Sequence, residues 1–396
     1  MIYCAVVLPR PTPLPFSRPE IGEEEIAEVV ACLRSGWITT GPRTARFEQE
    51  FAAATNSQHA LSFSSCTGAL HAVLLALGVG PGDEVIVPAL TWPSTSNMVI
   101  ACGATPVFAD IDRETWNLDP AAVGRALTAR TRMVIPVHFA GQPADIDAIR
   151  EVLAAAGRPE VTIVEDAAHA AGASYKGRPI GGCTANGTAA ACFSFHPIKN
   201  MTTGEGGMVT TDDAELAARI KLWKFHGVQR DAWKAYSASE KAPATYDVVL
   251  PGFKYNLTDI QSAIGIHQLR KLPRFNARRA EIAGLYRREL AGVDGLDLPG
   301  DAPYPHVHPW HLFTVLPPRR APFMDRLKEQ GIGTGLHFEA VHLHTYYRQR
   351  YGYAPGAFPV AEEVCSRIVS LPLFPSMTAE DAADVVAAVR EAVHAA

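Results

Sequence analysis

The chain has 396 residues, of which 47% are hydrophobic and 19% are charged, and its formal net charge at pH 7 is -5. This composition predicts a globular protein with a large core and excludes an intrinsically disordered chain. Because the net charge is negative and lysine and arginine form no dense run, we expect no binding to nucleic acid and no capture by an anionic membrane.

The first predicted element is a helix over Glu23–Ser35. Its apolar residues share one face at helical spacing: Ile26, Val29, Val30 and Leu33. Gly36 follows as the predicted C-terminal cap. The loop over residues 37–42 is then free for recognition.

Extended runs and helical patterns alternate between residues 59 and 212. The runs cover residues 59–64, 84–89, 105–111, 133–139, 161–167 and 190–195. This alternation predicts an α/β fold with a mostly parallel sheet wrapped by helices. After about residue 265 the pattern changes to a long charged helix, a proline-rich link, short strands and a final helix over Ala379–Ala395. We therefore expect a large domain over residues 1–264 and a smaller α+β domain over residues 265–396.

A possible phosphate site lies at residues 64–68, which join the first extended run to a helix. Free backbone N–H groups, the helix dipole and the hydroxyl of Thr67 could hold an anion there. The alternative is that Ser and Thr before this helix act only as an N-cap.

Trp92 follows the second extended run and so lies at another strand exit. Its flat indole could stack on an aromatic cofactor. The alternative is a tryptophan that only fills the core.

Asp166 and Lys199 carry the main chemical signal. Asp166 comes at the end of the buried run 161–167, where open α/β sheets bind their ligands. Lys199 follows the apolar run 190–195, and the hydroxyl of Ser194 lies five residues before it. A lysine amine can form a Schiff base with an aldehyde cofactor, and a carboxylate can keep a pyridine nitrogen protonated. The pair suggests a pyridoxal phosphate (PLP) site; the alternative is a solvated lysine and a carboxylate that only ends a strand.

Cysteine and histidine patterns do not indicate a metal site. The seven cysteines are scattered and form no C-x-x-C pair, so reduced thiols and a cytoplasmic location are expected. Two histidine clusters occur near residues 306–311 and 337–344, but neither has a familiar order of metal ligands. These histidines could instead bind sugar hydroxyls or have structural roles. The apolar stretch 1–7 is short and lacks a charged flank, so we expect no targeting or membrane-spanning segment.

Together these motifs resemble the DegT/DnrJ/EryC1/StrS sugar aminotransferases, a branch of the fold-type I PLP-dependent transferases. The resemblance extends from about Leu14 to the C-terminus. Its landmarks are residues 36–42, 165–166 with His169, 193–196 with 199–200, 205–207 and 254–259. It implies amino-group exchange through PLP, with pyridoxamine phosphate formed in the half-reaction.

The resemblance also implies roles at the cofactor. Lys199 would carry the Schiff base and shuttle the proton, Asp166 would pair with the pyridinium nitrogen, and His169 would approach the phenolic oxygen. Trp92 would cover the ring face. The phosphate would be bound by Thr67, Gly68, Ser194 and, from the neighbouring subunit of a homodimer, Asn256. The alternative for Asn256 is a cap on the helix that follows it.

A nucleotide-linked sugar and glutamate, which becomes 2-oxoglutarate, are the substrates that the resemblance implies. The residues expected to shape the sugar pocket are Trp37, Ile38, Thr39, Thr40, His337 and Phe338. Segments 306–313, 331–338 and 370–375 most resemble the UDP-4-amino-4-deoxy-L-arabinose/oxoglutarate aminotransferases of the group, which indicates amination at C4 of a UDP-linked 4-keto-pentose. Glu339 is a difference from that branch, which carries a basic residue at this position. Either the substrate differs, with a UDP- or dTDP-linked 4-keto-6-deoxyhexose as the alternative, or Glu339 is only a solvated side chain.

Two further functions remain as alternatives. PLP-dependent sugar dehydratases share the fold but carry histidine in place of the Schiff-base lysine, so Lys199 argues against that activity. A non-catalytic regulatory protein would not need the complete set of cofactor residues.

Overall fold

The computed structural model describes residues 10–229 and 246–395, so the apolar stretch 1–7 lies outside the described residues. The helices of the described part are α1 (Glu23–Ser35), α2 (Pro42–Thr55), α3 (Cys66–Ala76), α4 (Ser94–Ala101), α5 (Pro120–Ala126), α6 (Ile146–Ala155), α7 (Cys183–Asn186), α8 (Ala214–Lys224), α9 (Asp259–Leu290), α10 (Arg320–Glu329), α11 (Thr345–Tyr351), α12 (Pro359–Arg367) and α13 (Ala379–Ala395). Two short 3-10 helices cover Phe139–Gly141 and Val341–Leu343.

The strands of the described part are short. They are β1 (His59–Phe63), β2 (Glu84–Pro88), β3 (Thr105–Ala109), β4 (Thr131–Val134), β5 (Thr162–Asp166), β6 (Ser174–Tyr175), β7 (Arg178–Pro179), β8 (Ala190–Ser194), β9 (Gly207–Thr211), β10 (Val228–Gln229), β11 (Asp247–Val248), β12 (His306–Val307), β13 (Phe313–Val315) and β14 (Val369–Leu371).

Seven of these strands form the central sheet, in the order β1-β9-β8-β5-β4-β2-β3. Strands β3, β2, β4, β5 and β8 are parallel, whereas β9 runs antiparallel to both β8 and β1. The predicted α/β class with a mostly parallel sheet is confirmed. Because β1 has the same direction as the parallel strands, the carboxyl ends of β1, β2, β5 and β8 meet at one edge of the sheet.

The sequence pattern does not predict β9, whose first residue is Gly207. This residue pairs with Ser194 on one side and with Phe63 on the other. A Cβ atom at Gly207 would lie 2.6 Å from the backbone nitrogen of Cys66 and from the carbonyl carbon of Ser65. Glycine therefore lets β9 approach the loop that begins α3.

Helix α9 is 32 residues long and joins the central sheet to the C-terminal region. Ile266 in its first half packs in the core beside the sheet, whereas Tyr286 in its second half packs with β13, β14 and α13 in a separate core. Leu14 also belongs to this second core and pairs with Ile332. The predicted boundary at residues 264/265 lies inside α9, and the division into two domains stays a prediction. Among the described residues, no helix combines the length and the apolar character needed to cross a bilayer.

Candidate active site

The carboxyl edge of the sheet encloses a cavity of about 380 Å³, a volume typical of small-molecule sites. Its wall contains eight residues predicted to bind cofactor or substrate: Thr67, Trp92, Asp166, His169, Ser194, Lys199, His337 and Phe338. These side chains come from distant parts of the sequence, and the common direction of the strands brings them together.

Lys199 follows β8 in a short turn, in which its backbone N–H donates a hydrogen bond of 2.9 Å to the carbonyl of His196. Desolvation lowers the pKa of the Lys199 amine to about 8, although Cys66 and Asp166 act in the opposite direction. A substantial fraction of the amine is therefore neutral near pH 8. The neutral amine is the form that attacks a carbonyl group.

Asp166 is the last residue of β5 and is only 4% exposed. Its Oδ2 atom accepts a hydrogen bond of 2.8 Å from the hydroxyl of Thr95, and its Oδ1 atom accepts one of 3.2 Å from the backbone N–H of Ala168. Burial raises the pKa of Asp166, whereas these two hydrogen bonds and the charge of Lys199 oppose that rise. The hydrogen bonds thus favour the carboxylate over the neutral acid.

His169 is buried in the cavity wall, and its Nδ1 atom accepts a hydrogen bond of 3.2 Å from the backbone N–H of Ala140. Burial holds the pKa of His169 well below its usual range. The imidazole is therefore neutral, with its proton on Nε2, where it can act as a hydrogen-bond donor. The ring centroid lies 4.4 Å from that of His311 and 6.0 Å from that of Phe338.

The N-terminus of α3 is capped by Ser65 and also forms part of the cavity wall. Ser65 and Thr67 line the cavity, but Gly68 does not. The backbone N–H of Gly68 donates a hydrogen bond of 3.0 Å to the hydroxyl of Ser65, so this amide is already used by the cap. A Cβ atom at Gly68 would lie 3.1 Å from the ring of Tyr255, which explains the glycine by close packing.

Trp92 is 60% exposed and therefore does not belong to the core. Its ring centroid lies 5.6 Å from that of Phe338, so two aromatic side chains face each other in the cavity wall. The other predicted sugar-binding residue of this region, His337, shares a hydrogen bond of 2.9 Å with the hydroxyl of Ser370. Burial lowers the pKa of His337 to about 4, so its imidazole is neutral at physiological pH.

Glu339, the departure from the arabinose-type pattern, is not part of the cavity wall. Its carboxylate accepts a hydrogen bond of 2.8 Å from Arg320, and 45% of its side chain is exposed. The geometry therefore corresponds to the interpretation of Glu339 as a solvated, ion-paired surface residue.

The structure does not bring Asn256 or the predicted sugar-binding residues 37–40 into this cavity. The amide of Asn256 instead donates a hydrogen bond of 2.7 Å to the hydroxyl of Thr40, and its oxygen accepts a hydrogen bond from Lys254. The N-cap of α9 is Thr258, whose hydroxyl accepts from the backbone of Gln261 at 3.3 Å. Asn256 is therefore not the cap of that helix.

The loop over residues 37–41 is tied to the start of α9 by Asp259, which is fully buried. The Asp259 carboxylate accepts hydrogen bonds from the backbone N–H groups of Gly41, Arg43 and Thr44 at 2.8, 3.1 and 2.9 Å. It also accepts one of 2.7 Å from the hydroxyl of Thr44. A single carboxylate thus holds the N-terminus of α2 against the first residue of α9.

The histidine clusters considered in the sequence make other contacts. His308 stacks on Trp310 with 3.9 Å between ring centroids, and His342 shares a hydrogen bond of 3.0 Å with Glu362. Within residues 10–229 and 246–395, no group of three His, Cys, Asp or Glu side chains is placed to hold a metal ion.

Besides Ser65, four polar side chains of the wall lie outside the predicted cofactor- and substrate-binding residues: Thr91, Ser94, His196 and Glu205. The first two flank the predicted Trp92, and His196 lies between Ser194 and Lys199, so proximity in sequence is the signal that could have found them. Glu205 reaches the cavity only because β9 begins just after it and returns antiparallel to β8.

The donor and acceptor groups of the wall fit PLP. A buried carboxylate suits the ring nitrogen, an amine of lowered pKa suits the aldehyde, and an imidazole N–H suits the phenolic oxygen. The hydroxyls of Thr67 and Ser194 are available for the phosphate.

Comparison with known proteins gives consistent matches over nearly the whole chain. The model of the DegT/DnrJ/EryC1/StrS aminotransferase family matches residues 19–390. The PMP form of Spr1654 from Streptococcus pneumoniae is 32% identical, with a TM-score of 0.87 over 96% of this chain and 98% of that one, and its PLP form matches as well. DesV from S. venezuelae is 38% identical, with a TM-score of 0.83 over 94% of each chain. The sugar aminotransferase CalS13 from Micromonospora echinospora is 29% identical, with a TM-score of 0.85 over 95% of this chain and 99% of that one.

Proposed function

Because the chain belongs to the DegT/DnrJ/EryC1/StrS aminotransferase family and is a PLP-dependent sugar aminotransferase of fold type I, we propose that it transfers the amino group of glutamate to the C4 keto group of a nucleotide-linked sugar. The proposed sugar is a UDP-linked 4-keto-pentose. The observation that carries the amino transfer is that Lys199 and Asp166 lie in the wall of one cavity, where each influences the pKa of the other.

Bound PLP supplies an aldehyde that takes up amino groups and a ring that accepts the electron pair released at carbon. In our proposal Lys199 holds the cofactor between turnovers, and its Nζ atom moves the proton that leaves the α-carbon of glutamate. The Asp166 carboxylate keeps the proton on the ring nitrogen. Neutral His169 donates from Nε2 to the phenolic oxygen.

The remaining wall residues position the cofactor and exclude water. We propose that Thr67 and Ser194 donate their hydroxyl protons to the phosphate and that Trp92 covers one face of the ring. The exposed position of Trp92 beside Phe338 supports this role, because an indole without a ligand against it would leave a large apolar surface in water.

We also propose a homodimer in which Asn256 and residues 37–40 complete the cavity of the partner subunit. Two observations support it. None of these residues lines the cavity of its own chain. Trp37 and Ile38 are 39% and 50% exposed, and α1 beside them presents Ile26 and Leu33, which are 48% and 52% exposed. An apolar surface of this kind is typical of an interface between subunits.

The sugar assignment is tested by comparing kcat/KM for the UDP-linked 4-keto-pentose with kcat/KM for UDP- and dTDP-linked 4-keto-6-deoxyhexoses. A pocket distinguishes one methyl-sized group by about 1–3 kcal/mol, so we expect the pentose to be favoured about tenfold or more. A hexose favoured by that factor would replace the pentose in the proposal. If no keto sugar reacts although glutamate still converts bound PLP to pyridoxamine phosphate, the nucleotide-sugar substrate is wrong and the aminotransferase activity stands.

A further inference from the structure

The Asp166 carboxylate is the end point of a short chain of buried hydroxyl groups. Thr95 Oγ1 lies 2.8 Å from Asp166 Oδ2, and Thr91 Oγ1 lies 2.9 Å from Thr95 Oγ1. Thr95 and Thr91 are 0% and 1% exposed. Because an ionised carboxylate only accepts hydrogen bonds, the proton of Thr95 points to Asp166 and that of Thr91 points to Thr95.

The position of Thr95 follows from the turn that begins α4. Its backbone N–H donates a hydrogen bond of 3.2 Å to the carbonyl of Trp92, and α4 begins at Ser94. The same turn therefore places an exposed indole at the cavity wall and a buried hydroxyl against the carboxylate. Thr91 and Thr95 are four residues apart, so their hydroxyls can meet within this turn.

We propose that Thr95 is a positioning residue for Asp166. The hydroxyl of Thr95 fixes the orientation of the Asp166 carboxylate and keeps it ionised against the ring nitrogen of the cofactor. The proposal rests on the proposed function of Asp166. In this proposal Thr95 touches neither substrate nor cofactor and acts only through the carboxylate of Asp166. Thr91 supports Thr95 by donating a hydrogen bond to the oxygen of the Thr95 hydroxyl group.

The electrostatic surroundings of Asp166 are consistent with this role. Burial raises its pKa, and the hydrogen bond from Thr95 is the strongest of the influences that oppose the rise. The titratable side chains that face the carboxylate are Lys199, His138, Cys66 and Cys192. Burial raises the pKa of both thiols well above its usual range, so they remain neutral and cannot stabilise or repel the carboxylate strongly at physiological pH.

The test compares Thr95→Val with Thr95→Ser in the loaded enzyme. Valine keeps the shape of threonine and removes the hydrogen bond, whereas serine keeps the hydroxyl. Since the carboxylate of the valine variant binds a proton more readily, the acidic limb of its kcat profile should move to higher pH by roughly one to two units. We expect kcat to fall roughly 10- to 100-fold, with a smaller change in KM, and we expect serine to retain most activity.

A matched control is Thr314→Val. Thr314 is 1% exposed and its hydroxyl has no hydrogen-bond partner among the described residues, so this variant removes a buried hydroxyl without removing a bond. We expect its kcat and pH profile to equal those of the wild type. A fall in kcat equal to that of Thr95→Val would show that any buried hydroxyl loss is harmful, and would overturn the specific role of Thr95.

A second readout does not depend on turnover. The apoenzymes are loaded with PLP labelled with 15N in the ring, and the protonated fraction of the ring nitrogen is measured by NMR from neutral pH upward. A smaller protonated fraction in Thr95→Val than in the wild type and Thr95→Ser at the same pH supports the proposal, because a carboxylate that binds a proton more readily takes it from the ring nitrogen. Equal protonation in all three proteins overturns it.

If Thr95→Val does not fold, the pair Thr95→Ala and Thr95→Ser gives the same comparison, because both lack the methyl group and only serine keeps the hydroxyl. Alanine behaving like serine overturns the proposal. Asp166→Asn is measured in parallel. A normal ring-nitrogen signal in that variant would reject the proposed function of Asp166 itself, which is a different failure from that of Thr95.

Discussion

The side-chain amide of Asn256 donates a hydrogen bond of 2.7 Å to the hydroxyl of Thr40, 216 positions earlier in the chain. The Thr40 hydroxyl in turn donates to the carbonyl of Leu257 at 2.5 Å. The residue proposed to bind a phosphate and the loop proposed to bind a sugar are therefore one connected unit. In the proposed dimer, this unit would enter the partner's cavity as a whole.

Mixing two inactive variants tests whether Asn256 acts across the dimer. A Lys199→Ala chain lacks the lysine of its own cavity but still offers Asn256 to its partner, and an Asn256→Ala chain has the complementary defect. Random exchange should restore about a quarter of the wild-type activity per chain, because half of the dimers are hybrids and each hybrid has one intact site. Activity is measured after subunit exchange has been shown with chains of different mass. Exchange without recovered activity would place Asn256 in the site of its own chain.

The lowered pKa of Lys199 predicts how the empty enzyme captures its cofactor. Below pH 8 the amine is mostly protonated and unreactive, and as pH rises through about 8 the neutral fraction increases. The rate of covalent PLP uptake by the apoenzyme should therefore rise through a midpoint near pH 8. Stopped-flow absorbance measures this rate, with N-acetyl-lysine methylamide, whose amine has an ordinary pKa, as the control. A midpoint above pH 10 would show that burial does not tune this amine.

Asp259→Ala should destabilise the protein by about 3 kcal/mol, because it removes a fully buried acceptor from three backbone N–H groups, of which that of Thr44 is buried and the other two are partly buried. Denaturant unfolding gives the change in the free energy of unfolding. The matched control is Asp213→Ala, which removes an exposed N-cap carboxylate that accepts from Glu215 and Leu216 at 2.8 and 3.0 Å. An exposed cap is worth about 1 kcal/mol. Equal losses in the two variants would mean that burial of Asp259 adds nothing.

Gly207→Ala should weaken PLP binding, because the added methyl group would meet backbone atoms of Ser65 and Cys66 at 2.6 Å and push the loop before α3 away from β9. We expect the Kd for PLP to rise at least about tenfold, measured by equilibrium titration of the apoenzyme. Gly284→Ala is the control. Gly284 lies in α9, and a Cβ atom added there would meet no atom of another segment within 4 Å, so this change should stabilise the protein by about 0.5–1 kcal/mol and leave PLP binding unchanged.

Helix α1 and helix α13 have the bounds predicted from the sequence, and for α1 the apolar spacing of residues 26–33 and the capping Gly36 are the reason. The grouping of Asp166, Ser194 and Lys199 in one wall is also predictable. Asp166 and Ser194 end buried strands and Lys199 follows one, and parallel strands place their carboxyl ends at the same edge.

Other features depend on contacts between distant segments. The strand β9 is as long as β1 and β8, but it begins with Gly207 directly after Gly206 and contains only two apolar side chains, so no extended apolar run marks it in the sequence. The phosphate role of the Gly68 amide stays a prediction; the structure shows this amide donating to the hydroxyl of Ser65, a local contact that the family resemblance does not indicate. The role of Thr95 depends on the hydrogen bond between its hydroxyl and Asp166, and the spacing of residues along α4 does not predict that contact.

Helix α9 has a consequence for dissecting the protein. At a rise of about 1.5 Å per residue its 32 residues extend about 48 Å, from the buried Asp259 at one end to Leu290 in the second core at the other. A cut at residues 264/265 would leave most of this helix without the sheet that covers its first half, and would separate Leu14 from the core in which it packs. Fragments that end there should not fold as autonomous units. A chain divided within an exposed loop instead should reassemble better when its two fragments are co-expressed.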